Sequence, residues 1–170
     1  MKKFFKDNLP KPEDLKKYKA LGILGNSIFE KELWSINKHT LSWAIAIGLF
    51  WGWMPMFFQM IPAAFCAVYF RANLPLSVAG VWVSNPITMP PMMYLGYEFG
   101  NVVLGIDPLF DKFEASFDWI ISVFSLIWEP LLVGTMIIGI TSAVLGFFGI
   151  HIFWKILAYR KLKRIRNNTK

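Results

Sequence analysis

Long apolar blocks alternate with short polar and charged stretches along this chain. Two of them, Leu41 to Phe70 and Leu74 to Tyr97, are separated only by a short polar segment, whose Arg71 is the single formal charge. A third, Pro130 to Leu157, is uncharged up to Lys155. Each block is long enough to cross a bilayer, which takes about 20 apolar residues. A chain of 170 residues could not wrap three such blocks, so we predict an all-α integral membrane protein.

Prolines and amides interrupt the first two blocks. Proline removes a backbone donor and clashes with the preceding helical turn, so we expect broken or re-entrant helices over 41–70 and 74–100. Non-helical backbone survives in hydrocarbon only when it is buried in protein or lines a cavity. The Asn85-Pro86 break should therefore lie against the first block. A polar residue beside prolines in both blocks, Gln59 and Asn85, also fits the paired broken helices of transporters.

Polar and amphipathic segments flank the membrane domain, which we place at 39–158. Residues 1–38 form a basic amphipathic segment, either at the membrane interface or as a solvated helix packed on the domain. Residues 101–129 form an acidic loop with an interfacial helix over 111–128. Residues 130–158 form the clearest spanning helix, with a stripe of small residues that permits close helix contact. Residues 159–170 form a basic tail.

The charge distribution predicts the topology. The net charge is +7, and the basic residues cluster at the two ends of the chain, with nine Lys before residue 39 and seven Lys or Arg after residue 154. By the positive-inside rule both termini are cytoplasmic, so the number of crossings is even. We expect the first block to turn at Pro55 and to return Arg71 to the inside, with the acidic segment outside. In the alternative, the second block doubles back and the acidic segment lies inside.

The basic ends suit anionic lipid headgroups, and they do not suit nucleic acid. Binding to nucleic acid would need basic residues interleaved with stacking aromatics on one face, and that pattern is missing. No secretory signal is visible, since no apolar core follows the basic N-terminus within thirty residues. The first apolar block should act as an uncleaved insertion signal.

The interrupted blocks carry a family resemblance. Ala46-Ile-Gly-Leu-Phe-x-Gly52, the pair Pro55 and Gln59, Arg71-Ala-Asn-Leu-Pro75 and Val83-Ser-Asn-Pro-Ile-Thr-x-Pro-Pro91 resemble the bacterial domain-of-unknown-function family 2062. The likeness covers roughly residues 33 to 157, and Leu33-Trp34-x-Ile36-Asn37 fits it as well. It implies a small inner-membrane protein, and some family members resemble fusions with glycosyltransferases. The bulky Trp51-x-Trp53 departs from the smaller residues expected there and would narrow a cavity.

The candidate binding residues are amides, hydroxyls and charges near the breaks. Such groups bind an ion, a headgroup or a phosphate without reacting with it. The competing interpretation is structural: Asn85 satisfies backbone groups freed by Pro86, and Arg71 and Glu98 are interfacial. No catalytic set, metal site or cofactor motif is apparent, and Cys66 is most simply a small buried hydrophobe. The candidates are Gln59, Arg71, Asn73, Ser84, Asn85, Thr88 and Glu98.

Two functions remain open for a multi-pass protein of the bacterial inner membrane. One is a small transporter or translocator of a lipid-linked or anionic envelope substrate. The other is a non-transporting anchor or regulatory partner that acts through its basic ends and small-residue helix face. An enzyme ranks third, since no nucleophile–base pair or paired acids are present. A homodimer would also suit a chain of this size.

Overall fold

A computed structural model describes residues 30–56, 58–107 and 117–168, and within these ranges all regular structure is helical. The predicted amphipathic segment 1–38 lies mostly outside the described residues. One described helix, with its apolar part over Val123–Arg160, is long and apolar enough to span a membrane. The helices are α1 (Lys38–Trp53), α2 (Met60–Tyr69), α3 (Leu74–Gly80), α4 (Met89–Leu104) and α5 (Phe117–Asn168), with 3-10 turns at Lys31–Trp34 and Val81–Val83.

Helix α1 begins at an asparagine cap and ends before a proline. Asn37 and Thr40 form a capping box, in which each side chain bonds the backbone N–H of the other residue. Such caps satisfy backbone donors that have no partner inside the helix. At the other end Met54 is extended, because the residue before proline is pushed out of helical geometry.

The chain reverses between α1 and α2. Helices α2 and α3 then form a helical hairpin over residues 60–83, which turns at Arg71. We call its open end, opposite Arg71, the hairpin tip. Phe58 takes left-handed backbone geometry in the reversal, with a φ of 63°. Helix α2 runs back along α1, so that the Asn73 N–H after it donates to the carbonyl of Thr40 at the start of α1. Helix α3 then runs forward beside α1. A Cβ built on Gly48 of α1 would lie only 2.7 Å from the Gly80 Cα, so these two helices meet backbone to backbone.

Helices α1 and α4 are stacked end to end along α5, and both are antiparallel to it. Gly146 of α5 faces Ile45 and Leu49 of α1, whereas further up Gly139 faces Phe50 and Trp53. Beyond the end of α1, α4 takes over, with Gly96 and Gly100 against Gly134 and Pro130. Small residues thus mark α5 at its contacts with both partners, which allows close packing.

Helix α5 has 52 residues and runs continuously through Pro130. The sequence predicted two helices here, an interfacial one over 111–128 and a spanning one from 130, and the structure joins the described part of the first to the second. Residues 108–116 lie outside the described part of the chain. Proline removes one helical hydrogen bond. Gly100 of α4 packs against the Pro130 backbone at this point, so the helix is supported where it is locally weakest.

The hairpin packs on α1 through a core of small residues. Ala44, Ala63, Ala67 and Ala72 are fully buried there. Trp43 of α1 closes one end of this core, stacked on Phe70 at 4.3 Å between ring centroids and edge-on to Phe147 of α5 at 5.1 Å. The small residues bring the three short helices close together, and the aromatic cluster ties them to α5.

Candidate functional site

A cavity of about 450 Å³ opens at the tip of the hairpin, where the two interruptions of the chain meet. One wall comes from the reversal before α2, and the opposite wall comes from the break between α3 and α4. The lining is mainly apolar, and none of the described residues in it carries a formal charge. The lining residues are Met56, Phe58, Gln59, Met60, Ile61, Val81, Trp82, Ser84, Asn85, Pro86 and Met89.

A pair of polar side chains joins the two walls. Gln59 is 6% exposed, and its Oε1 accepts a hydrogen bond from the Ser84 hydroxyl at 2.9 Å. Its Nε2 donates to the Met54 carbonyl, which the end of α1 leaves without a helical partner. Gln59 therefore connects the end of α1 with the break before α4. The sequence predicted both residues as candidates, and the structure brings them into contact.

Asn85 organises the break before α4. Its Oδ1 accepts the N–H groups of Ile87 and Thr88, at 2.9 and 3.1 Å. Its own N–H donates to the Thr88 hydroxyl oxygen at 2.9 Å, and that hydroxyl donates to the Val83 carbonyl at 2.7 Å. The backbone donors around Pro86 are thus satisfied by side chains, as they must be in a segment without helical bonds. Asn85 and Thr88 form a structural cap, and Asn85 also lines the cavity.

This cap repeats the one that starts α1. Five residues recur 48 positions apart in the order Trp-x2-Asn-x2-Thr-x7-Gly-x3-Gly. We call this the repeat motif. Each copy leads into a helix of 16 residues. The first copy is Trp34, Asn37, Thr40, Gly48 and Gly52, and the second is Trp82, Asn85, Thr88, Gly96 and Gly100.

Three hydrogen bonds of the two caps correspond. In the first copy the Asn37 N–H donates to Thr40 Oγ1 at 3.1 Å, and the Thr40 N–H donates to Asn37 Oδ1 at 2.9 Å. The Thr40 hydroxyl donates to the carbonyl of Ser35 at 2.8 Å, as that of Thr88 does to Val83. The sequence pattern pairs Gln59 with Asn85 as polar residues beside prolines, whereas the caps match Asn85 with a different residue. The equivalent of Asn85 is Asn37, and the spacing of the glycines could have shown it.

The remaining predicted residues lie away from the cavity. Arg71, at the opposite end of the hairpin, forms an exposed ion pair with Glu32, with 3.2 Å between Nη1 and Oε2. Asn73 is buried at the same end, where it caps α3 and donates to the Ser35 carbonyl. Glu98 lies on α4 in a second, shallower cavity of about 400 Å³, beside Trp53 and Ile138. The seven predicted residues therefore divide into one group at the tip and three separate positions.

Two polar positions inside the helix contacts were not identified from the sequence. Ser42 is fully buried, and its Oγ lies 2.9 Å from His151 Nδ1, which links α1 to α5. Asn101 of α4 is 3% exposed, and among the described residues neither of its side-chain polar atoms has a hydrogen-bond partner. Both are surrounded by apolar residues in the sequence, so only the packing distinguishes them from surface residues.

The cavity combines an apolar wall with a few polar atoms and no charge. Such a lining can bind an apolar chain and hydrogen-bond a neutral polar group beside it. No nucleophile next to a general base faces the cavity among the described residues, so its geometry favours binding. Trp82 is 63% exposed and offers a flat wall for such a ligand.

Comparison with known proteins gives one match. The family model described as an uncharacterised protein conserved in bacteria, DUF2062, matches residues 21–163. This confirms the resemblance inferred from the proline and amide motifs. No curated protein and no solved structure matches the chain. The match covers most of the sequence, including both copies of the repeat motif, and the chain belongs to this bacterial DUF2062 family.

Proposed function

We propose that this protein is a small carrier in the bacterial inner membrane that binds a lipid-linked envelope substrate at the hairpin tip and moves it between leaflets. The observation that carries the proposal is the cavity between the two chain interruptions. Transporters commonly build substrate sites from broken helices near the bilayer midplane. The exposed apolar side chains along α4 and α5, such as Leu95, Val102, Leu145 and Phe148, support a lipid environment.

The depth of the cavity supports this placement. Helix α5 has no Asp, Glu, Lys or Arg between Glu129 and Lys155, a stretch of about 36 Å at 1.5 Å per residue, which suits a hydrocarbon core of about 30 Å. Gly139, which faces the end of α1, lies about 14 Å from one end of that stretch. In this placement α1 enters from the basic side, the chain reverses near the middle between α1 and α2, and α2 returns Arg71 to the basic surface.

The lining also distinguishes between the two substrate classes that the sequence left open. An anionic group would require a cation, and the described lining residues include none. Arg71 lies at the far end of the hairpin and is paired with Glu32. A lipid-linked substrate with a neutral polar group therefore fits the cavity better, whereas the basic chain ends suit anionic headgroups of the surrounding membrane.

Cysteine accessibility tests the proposal. On a Cys66→Ala background, Met60→Cys places a thiol in the cavity, and Ile140→Cys places one on the exposed apolar surface of α5, next to Gly139, which faces the end of α1. We expect membrane-impermeant thiol reagents to label Met60→Cys from both sides of the membrane and to leave Ile140→Cys unlabelled. If the reagent labels Met60→Cys from neither side of the membrane in folded protein, the cavity is dry and the protein is an anchor or regulatory partner.

A further inference from the structure

The first copy of the repeat motif shows what would bind at the second. In the first copy the carboxamide of Asn73 docks on the cap, and its Nδ2 donates to the Ser35 carbonyl at 3.0 Å. The Asn37 Nδ2 donates to the Ser35 hydroxyl at 3.1 Å. The Ser35 carbonyl and the Asn37 Nδ2 are therefore both occupied by groups from the chain itself.

Among the residues that the structure describes, the second cap has no counterpart of these two groups. Val83 stands in the place of Ser35, so no hydroxyl is available to Asn85 Nδ2. Within the described residues no acceptor lies in reach of that Nδ2, and the Val83 carbonyl receives only the Thr88 hydroxyl. Asn85 lines the cavity, whereas Val83 is not a lining residue but stands in the chain between Trp82 and Ser84, which are. The Asn85 Nδ2 donor thus belongs to the lining, and the Val83 carbonyl, with room for a second donor, belongs to the residue next to it.

From this difference we infer that the cavity recognises a neutral carboxamide on an amphiphilic ligand, an inference that rests on the proposed function. The amide N–H donates to the Val83 carbonyl, as Asn73 does to Ser35. The amide oxygen accepts from Asn85 Nδ2, as the Ser35 hydroxyl does from Asn37. The apolar wall holds the attached chain. The unpaired N–H groups at the start of α4 do not provide the binding site, because Asn85 Oδ1 already accepts hydrogen bonds from the N–H groups of Ile87 and Thr88.

The cap itself allows a clean test. Asn85→Asp and Asn85→Ser keep an oxygen that caps the break and remove the Nδ2 donor, since Asp and Ser are both good capping residues. Asn37→Asp makes the same change at the first cap, far from the cavity. The ligands are two neutral twelve-carbon amphiphiles with a photoreactive diazirine in the chain. One ends in an N-methylcarboxamide, and the other ends in the methyl ester, which lacks the N–H.

The experiment measures concentration-dependent crosslinking to the full chain in phosphatidylcholine nanodiscs, with mass spectrometry of the segment 81–92. We expect the amide to bind about fivefold more tightly than the ester in the wild type and in Asn37→Asp, as expected for one net hydrogen bond. Both Asn85 variants should bind the amide more weakly than the wild type does, because they lack the donor to the amide oxygen. The preference for the amide over the ester depends on the N–H bond to the Val83 carbonyl and should be retained in them. Equal binding of the two probes in the wild type, or undiminished amide binding in both Asn85 variants, overturns the amide assignment. Labelling of Met60→Cys then still decides the carrier function separately.

Discussion

At the scale of single residues, the two asparagine caps carry equivalent roles in different surroundings. Asn37 is exposed at the start of α1, and Asn85 is half-buried at the hairpin tip, yet their hydrogen bonds match. A cap removes the cost of unpaired backbone donors, and this benefit depends on local geometry more than on burial. Both residues therefore contribute to stability, and the role of Asn85 in binding is additional.

We predict that Asn37→Ala and Asn85→Ala each lower the free energy of unfolding by about 1 kcal/mol, because each leaves two backbone or side-chain partners unpaired. Thermal unfolding in detergent measures the loss. Asn37→Asp and Asn85→Asp serve as controls and should retain most of the stability, since a carboxylate oxygen also accepts the backbone N–H. A loss at Asn37 without a loss at Asn85 would show that the two caps are not equivalent.

Asn101 should respond in the opposite direction. Its side chain is buried on α4, and within the described part of the chain both of its polar atoms are unpaired, which costs free energy that an apolar side chain of similar size would not. We expect Asn101→Leu to raise the free energy of unfolding by up to about 1 kcal/mol. Thr135→Val is the comparison, because the Thr135 hydroxyl is bonded to the Leu131 carbonyl at 2.7 Å and its loss should give no gain. Destabilisation by Asn101→Leu in thermal unfolding would mean that Asn101 has a partner.

At the scale of helices, pairs of glycines determine which surfaces meet. Gly48 and Gly80 join α1 to α3, and Gly96, Gly100 and Gly134 join α4 to α5. On each of these glycines except Gly96, an added Cβ would collide with backbone of the opposite helix, which cannot rotate away as a side chain can. On Gly96 the added Cβ would collide with the Thr135 side chain. The glycines of the repeat motif are therefore contact positions, and the motif specifies both the start of a helix and the surface that the helix buries.

We predict that Gly134→Ala separates α4 from α5 and lowers the free energy of unfolding by about 1–3 kcal/mol, as expected for overpacking. The added methyl group would overlap the Gly96 carbonyl. Gly149→Ala is the matched control on the same helix, since a Cβ there meets nothing within 4 Å. Thermal unfolding of the two variants gives the comparison, and equal stability would show that the α4–α5 contact is looser than described.

The sequence predicted the helical interruptions well because their causes are local. Pro55 and Pro86 restrict the residue before them wherever they occur, and the structure has a reversal at the first and a break at the second. The helix through Pro130 could not be predicted in this way, because its support comes from Gly100, which is distant in sequence. The cavity was predicted only in part: Gln59, Ser84 and Asn85 meet, but the position of Arg71 depends on the hairpin direction.

At the scale of the molecule, the hairpin gives the two ends of the structure different characters. Ser42 and His151 meet near one end, together with Arg71, Lys38 and the basic tail after Lys155. Glu129 and Asp107 lie towards the other end, where α4 meets α5 and ends. A bilayer around the uncharged middle would place these two groups on opposite sides, and the basic group would be cytoplasmic by the positive-inside rule.

This arrangement predicts opposite accessibility for two residues that the hairpin separates. On the Cys66→Ala background, Asp107→Cys should react with an impermeant thiol reagent in intact spheroplasts, and Arg71→Cys should react only after permeabilisation. Both positions are exposed, Arg71 with 65% of its side chain accessible, so burial would not explain a difference. The reason is that α2 returns Arg71 to the side on which α1 begins, while α4 continues to the opposite side. If Arg71→Cys reacts in intact spheroplasts, the first apolar block crosses the membrane once and does not turn back within it.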